Sequence, residues 1–282
     1  MLDERPSFLA LIQILSMASQ VPIILETRNL SRSFGGLKAV DDVNFKLRQG
    51  EFHSIIGPNG AGKTTFLNLI SRVLKPTSGR VIFKGKDITD RPPYHLAHLG
   101  IGRSYQITNL FPTLTVYENV RVAAQALGPD NFKVLSNVDR FQTYDKIAQK
   151  VLDRVGLREF SGVPVMSLPH GDKRRLELAL LLAQDTEVLL LDEPTAGLAT
   201  EQVPGFMALV KEISDQGKKT IVLVEHNMNV VMSLSDRISV MHQGQMLAEG
   251  TPAEISVNEM VQRAYLGMLY DGLDETASAG RY

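Results

Sequence analysis

Gly57-Pro58-Asn59-Gly60-Ala61-Gly62-Lys63-Thr64 meets the pattern G-x-x-x-x-G-K-[ST] at every fixed position, with Ile55-Ile56 before it and Thr65-Phe66-Leu67-Asn68-Leu69-Ile70 after it. These flanks predict a strand, a glycine loop and a helix in that order. The glycines let the backbone turn with its N–H groups inward, and the positive end of the helix dipole completes a cradle for phosphate oxygens. In such a loop Lys63 reaches the β- and γ-phosphates of a triphosphate, and the Thr64 hydroxyl is offered to Mg²⁺.

Working upstream, Ile23-Ile24-Leu25 opens a strand pattern, and Val43-Asn44-Phe45-Lys46-Leu47-Arg48 alternates apolar and polar residues as a half-buried antiparallel strand does. Gln49-Gly50 turns the chain into the phosphate-loop strand. Downstream, Pro76-Thr77-Ser78-Gly79 reads as a turn and Arg80-Val81-Ile82-Phe83 as a strand, so a small antiparallel sheet is expected beside the nucleotide core. Phe34 lies between these strands beside glycines, where its ring either packs in a core or stacks on a nucleobase.

From Arg91-Pro92-Pro93 the pattern becomes helical, and residues 92–180 are read as an inserted helical subdomain, with Gln106 near the handover from the core. Glu187-Val188-Leu189-Leu190-Leu191-Asp192-Glu193-Pro194 reads as a buried strand ending in two carboxylates. Consecutive strand residues face opposite ways, so the two acids are assigned different tasks: Asp192 toward the water shell of Mg²⁺, Glu193 as the base for an attacking water. A second buried strand, Thr220-Ile221-Val222-Leu223-Val224, ends at Glu225-His226. Its carboxyl end is the sheet edge where ligands bind, which makes His226 a candidate γ-phosphate contact. Ile238 to Leu247 reads as a closing hairpin, and Thr251-Pro252-Ala253-Glu254 as a capping box opening a helix through Val261 and Tyr265. Residues 271–282 are polar and small, and disorder is expected there.

With 282 residues, 44% hydrophobic and 22% charged, the composition is that of a folded globular protein, and a net charge of −1 lacks the broad basic footprint of a nucleic-acid tracker. The chain contains no cysteine, which removes disulfides, thiol nucleophiles and thiolate metal sites and fits a cytosolic setting. The basic run Lys173-Arg174-Arg175 reads as a solvated helix face or a local contact. His53, His95, His98, His170, His226 and His242 show no zinc-helix spacing. Phe8 to Leu25 carries Gln13, Ser16, Ser19, Gln20 and Pro22, short of the ~20 mostly apolar residues that span a bilayer. Residues 1–22 are therefore left as an N-terminal extension, either an interfacial helix or a loosely attached segment.

Together these residues resemble the nucleotide-binding subunit of an ATP-binding cassette (ABC) transporter over residues 23–270. Phe34 matches the adenine-stacking aromatic, Gly57 to Thr64 with Thr65 the Walker A loop, Gln106 the Q-loop, Asp192 and Glu193 the Walker B pair, and His226 the switch histidine. Ser167-Leu168-Pro169-His170-Gly171-Asp172-Lys173-Arg174-Arg175-Leu176-Glu177-Leu178-Ala179 looks like the cassette signature, which in that family caps the γ-phosphate held by the opposite subunit. The resemblance implies an α/β fold: a RecA-like P-loop NTPase core with an antiparallel β-subdomain and an inserted α-helical subdomain. It also implies an ATPase using ATP and Mg²⁺. Nucleotide contacts are then expected from Phe34, Gly57, Pro58, Asn59, Gly60, Ala61, Gly62, Lys63, Thr64, Thr65 and Gly171. Thr64, Gln106 and Asp192 are expected at the metal, and Glu193, His226 and Gln106 in catalysis.

Asn109-Leu110-Phe111-Pro112, Leu114-Thr115-Val116-Tyr117-Glu118-Asn119-Val120, the His-Gly-Asp form of the signature and Gln262-Arg263-Ala264-Tyr265-Leu266-Gly267 look like the ATPase subunit of branched-chain amino-acid importers. Relatives of that subunit serve urea, amide and aromatic-acid uptake. The expected partners are two transmembrane permeases, a second ABC ATPase and, indirectly, a periplasmic or extracellular solute-binding protein, with no nucleic acid. The expected location is the cytoplasmic face of the inner membrane. ATPases of export and lipopolysaccharide transport share the core. Non-transport cassette proteins usually carry coiled coils or two cassettes, which this chain lacks.

Two departures stand out. Pro169 replaces the usual signature serine and has neither a hydroxyl nor an N–H for a phosphate. Ala199 follows Ala196-Gly197-Leu198 where an aspartate or asparagine is common. Both lie on the surface expected to face the other subunit's nucleotide, so an asymmetric heterodimer is expected in preference to a homodimer, in which both sites would carry Pro169 and hydrolyse slowly.

Overall fold

Phe52–Ile56 forms β3, in which every residue is buried, and it sits in the middle of a six-stranded sheet. A computed structural model describes residues 21–104, 110–128, 141–217 and 219–264. Around β3, the strands β6 (Ile101–Arg103), β7 (Val188–Asp192), β8 (Thr220–Val224), β9 (Arg237–His242) and β10 (Gln245–Gly250) take the order β10-β9-β3-β8-β7-β6. β9, β3, β8, β7 and β6 pair in parallel, and β10 closes the edge as an antiparallel hairpin with β9.

Both faces of this sheet are covered, which is why its strands read as unbroken apolar runs. Leu189 and Leu191 of β7, with Ile221 and Leu223 of β8, enter one core. Val188, Leu190, Val222 and Val224 enter the other. The second core is filled by Phe66, Leu67, Leu69 and Ile70 of α1 (Lys63–Ile70), the helix that leaves the glycine loop.

Over that helix lies a four-stranded antiparallel sheet, ordered β2-β1-β4-β5, from β1 (Ile23–Phe34), β2 (Leu37–Arg48), β4 (Ser78–Phe83) and β5 (Lys86–Asp87). Val43, Phe45 and Leu47 point into the core while Asn44 and Lys46 are exposed, the alternation expected from the sequence. Phe34 ends β1 and Gly35 opens the turn to β2 with φ +57°, so the ring is carried at the tip of a hairpin.

The helical insertion begins later than residue 92. α2 (Pro93–Leu99) is helical, but β6 follows it and pairs with β7 in the core sheet. Three residues are too few to show a period, so this strand was hidden in the sequence. The helical lobe proper comprises α3 (Val116–Ala126), α4 (Phe141–Val155) and α5 (His170–Ala183). Val116, Val120, Ala148, Leu152, Leu176 and Ala179 form its centre. Thr115 and Glu118 make a reciprocal capping box at the start of α3, and Tyr117 Oη donates to Asp145 on α4 at 2.6 Å.

α6 (Val203–Gly217) and α7 (Met228–Leu234) complete the covering of the core. The predicted capping box at Thr251 and Glu254 is present and opens α8 (Pro252–Ser256). That helix does not run through Val261: it stops at Val257, and a separate helical run, 259–264, is capped by the Asn258 side chain, which accepts from the N–H groups of Met260 and Val261. Tyr265, Gln106, residues 1–20 and residues 271–282 lie outside the described residues. No described helix is long and apolar enough to cross a membrane.

Candidate active site

The glycine loop is forced into shape by its neighbours. Gly57 has φ +153° and Gly62 φ +98°; a Cβ on Gly57 would lie 2.2 Å from Met241 O, and one on Gly62 would lie 2.3 Å from Ala39 O. Met241 belongs to β9 and Ala39 to β2, so the loop is clamped between the core sheet and the β-subdomain. Lys63 is 6% exposed, and its ammonium donates to the carbonyls of Gly57 at 2.7 Å and Pro58 at 2.9 Å. Burial pulls its pKa down from the usual lysine range, while the carboxylates of Glu193 and Asp192 act the other way.

A cleft of about 710 Å³ opens over this loop, lined by Asn59 to Thr65 together with Phe34, Lys38, Glu193, His226 and Gln243. Phe34 is 45% exposed at its mouth, with the Arg32 guanidinium 4.6 Å from the ring centroid and donating to Lys75 O at 2.9 Å. The Arg32 side lies against one ring face, so the ring has a fixed orientation from which to meet a flat partner. Stacking of a base on an aromatic ring is worth ~1–3 kcal/mol. Replacing Phe34 with alanine is expected to weaken ATP and ADP binding by roughly fivefold to a hundredfold and to leave inhibition by tripolyphosphate unchanged. Calorimetric titration of the three ligands checks this, and an unchanged ATP affinity would contradict the stacking role.

Asp192 is the last residue of β7 and shares the Leu190 face, toward α1. It is 3% exposed; burial raises its pKa, and the Arg103 guanidinium, which donates to Oδ2 at 3.1 Å, opposes that rise. Its other oxygen, Oδ1, is buried with no hydrogen-bond partner among the described residues. A buried acceptor with nothing to accept from is the feature that a hydrated cation would satisfy. The Thr64 hydroxyl at the start of α1 and Oδ1 of Asp192 thus fit a Mg²⁺ held mainly by phosphate and water. Among the described residues no cluster of three His, Cys, Asp or Glu could form an all-protein cage.

Glu193 is not a continuation of the strand. Its φ of +48° turns the backbone into the left-handed region, and its N–H still donates to Val224 O at 2.9 Å. The two acids diverge because of this turn, not through pleat alternation. A non-glycine residue in that conformation costs roughly 1–3 kcal/mol and persists only when its surroundings impose it. Glu225 is part of that imposition: it is 3% exposed, its Oε1 accepts from Thr195 N at 3.0 Å and Thr195 Oγ1 at 2.6 Å, and its Oε2 from the His226 N–H at 3.2 Å. The result brings His226 Nε2 to 2.5 Å from Glu193 Oε1, at the edge of the cleft.

Gly171 does not line this cleft. It sits in the first turn of α5, in a separate hollow of about 310 Å³ shared with Asp172, Arg175, Gln202 and Phe206. Pro169 is the N-cap of α5 and supplies no side-chain cap. Within the basic run, Arg174 is buried and donates to Glu177 at 2.9 Å and to Ala196 O at 3.1 Å, a local contact that joins α5 to the loop after Glu193. Arg103 and Glu225 were not legible as site residues in the sequence. Each is a single side chain whose partner is distant along the chain, and only the fold brings them together.

Residues 40–196 match the family model described as ABC transporter. The chain belongs to the ABC transporter family. Residues 245–267 of this ABC ATPase match a second family model, described as branched-chain amino acid ATP-binding cassette transporter. It is 40% identical over 250 residues to the high-affinity branched-chain amino acid transport ATP-binding protein LivG of Salmonella typhimurium, covering 86% of this chain and 98% of that protein. Among solved structures it superposes on an ATP-binding cassette of an ABC transporter in its ADP conformation with a TM-score of 0.74 and 28% identity, covering 87% of this chain and 99% of that one. A dimeric post-hydrolysis cassette bound to ADP and Pi matches with a TM-score of 0.70 and 28% identity, covering 81% of this chain and 99% of that one. The fold is therefore the RecA-like core of ABC ATPases, and this ABC ATPase hydrolyses ATP.

Proposed function

We propose that this ABC ATPase is the nucleotide-binding subunit of an importer for branched-chain amino acids or related small solutes, working at the cytoplasmic face of a membrane with two permease subunits and a second cassette. The observation that carries the solute class is the match of residues 245–267 to the branched-chain amino acid family model. The near full-length similarity to LivG supports it. Export or lipopolysaccharide transport remains the alternative, since those ATPases share the core.

In the proposed cycle the γ-phosphate of ATP displaces the Gly57 and Pro58 carbonyls as partners of the Lys63 ammonium, and the loop N–H groups bind the phosphate oxygens. Bound Mg²⁺, met by Thr64 and through water by Asp192, would neutralise charge on the β- and γ-phosphates. Glu193 takes a proton from the attacking water as its oxygen bonds to phosphorus and the bond to ADP breaks, giving ADP, Pi and a proton. His226, released from Glu193, then donates to the γ-phosphate in this reading. Two cassettes close on two ATP molecules because ATP binds the closed pair more tightly than the open one, and the permeases share that equilibrium.

Pro169 and Ala199 fit a heterodimer in which the site built on this chain's glycine loop is competent and the site capped by its signature is weak. A hydrogen bond to a charged group is worth ~1.5 kcal/mol or more, about tenfold. In a complex whose competent site is silenced by Glu193→Gln, Pro169→Ser is therefore expected to raise the residual turnover about tenfold. An unchanged residual rate would remove the asymmetric reading. The wider proposal is tested by purifying the tagged chain from host membranes and identifying bound proteins by mass. Two permeases and a cassette with a serine-type signature are expected; recovery with ribosomes, or alone, overturns it.

A further inference from the structure

Arg103 ends β6 directly beside Leu190, two residues before Asp192 in the neighbouring strand. Its side chain is 7% exposed and the carboxylate it meets is 2% exposed. Nη2 donates to Asp192 Oδ2 at 3.1 Å, and Nη1 donates to Ser71 Oγ at 2.5 Å. Ser71 follows α1 directly, and its hydroxyl also donates to Leu67 O in that helix at 2.7 Å. A further grip comes from Ser104, whose Oγ accepts from the Asp192 N–H at 3.2 Å. Asp192 Oδ1 has no hydrogen-bond partner among the described residues.

We propose that Arg103 is a positioning residue for the catalytic metal: it anchors Oδ2 of Asp192 so that Oδ1 faces the water shell of Mg²⁺, and ties that carboxylate through Ser71 to the helix that carries Thr64. A carboxylate held at neither oxygen rotates about its Cβ–Cγ bond and presents its lone pairs in many directions. Fixing one oxygen with a fork that is itself held at its second nitrogen removes that freedom. The same fork links the end of β7 to the C-terminal end of α1, the helix whose first turn carries Thr64. The proposal rests on Asp192 being the carboxylate that faces Mg²⁺.

The test is binding of a fluorescent ATP analogue to the full chain, in EDTA and across a Mg²⁺ series. Groups that orient a metal's ligands typically cost tenfold to a hundredfold in metal affinity when lost, so Arg103→Gln is expected to raise the half-saturating Mg²⁺ by about that factor, with affinity in EDTA held within about twofold. Arg103→Lys keeps the charge but not the fork, and is expected to recover only part of the loss. An unchanged Mg²⁺ dependence, or equal loss in EDTA and in Mg²⁺, overturns the proposal. Asp192→Asn separates two failures. No shift there removes the assignment of Asp192 and the role of Arg103 with it, whereas a shift there without one in Arg103→Gln removes only the latter. Should Arg103→Gln not fold, Arg103→Lys and Ser71→Ala are read in the same titration, and unchanged Mg²⁺ dependence in both overturns the proposal.

Discussion

Glu193→Gln is expected to lower ATP turnover by about 10²- to 10⁴-fold, the usual worth of a positioned general base, while ATP binding stays intact. The substitution removes the ability to take a proton, and with it the carboxylate's charge, while keeping the shape of the side chain. Glutamine has the same length, leaves the backbone N–H bond to Val224 O in place and still offers an oxygen or an amide to His226 Nε2. The left-handed turn at residue 193 is imposed from outside it, by Glu225 holding Thr195 and the His226 N–H, so the loop has no reason to relax. The loss therefore belongs in kcat, with KM for ATP little changed. Steady-state hydrolysis by the purified complex, with equilibrium binding of ATP alongside, measures both. Turnover within about threefold of the unsubstituted complex would assign the base elsewhere, since even the weakest positioned base contributes more than that.

Gly62→Ala is expected to damage the fold and the nucleotide site together. At φ +98° an L-residue carries ~1–2 kcal/mol of backbone cost. Its Cβ would also lie 2.3 Å from Ala39 O and 3.4 Å from Gly244 Cα, both main-chain atoms that no side-chain rotation can move. Overpacking of that kind adds ~1–3 kcal/mol. The displaced elements are the β-subdomain hairpin that carries Phe34 and the β9–β10 turn, where Gly244 N donates to Ala61 O at 3.0 Å. The phosphate cradle and the stacking ring would thus be pushed apart together, so both stability and ATP affinity fall. Gly60→Ala supplies the comparison: at φ +77° it has nothing within 4 Å of an added Cβ, and only the backbone cost applies. Denaturant unfolding of the two variants distinguishes them, and equal midpoints would show that the clamp on Gly62 is loose.

The central sheet was legible because its strands are buried on both faces. Runs such as Val188–Asp192 and Thr220–Val224 need no alternation, and polar residues directly after them mark the ligand edge. The glycine loop was legible because its spacing is dictated by backbone approach to phosphate. β6 was not, since Ile101–Arg103 is shorter than any period that could announce it. The break after Ser256 was missed for a related reason: apolar Val257 and Val261 keep a helical spacing, while the Asn258 side chain caps a fresh start instead. Arg103 and Glu225 were invisible for want of context. Arginine beside a short strand and glutamate before histidine are ordinary until the sheet sets one against Asp192 and the other against Thr195.

The most direct measurement is uptake of labelled leucine by vesicles reconstituted with the copurified complex and its solute-binding protein, with ATP supplied on the side that bears this chain. The account predicts uptake that depends on ATP and is abolished by Glu193→Gln in this chain. ATP hydrolysis without uptake of leucine or any related amino acid, amide or urea, or movement of solute away from the binding protein, would contradict it.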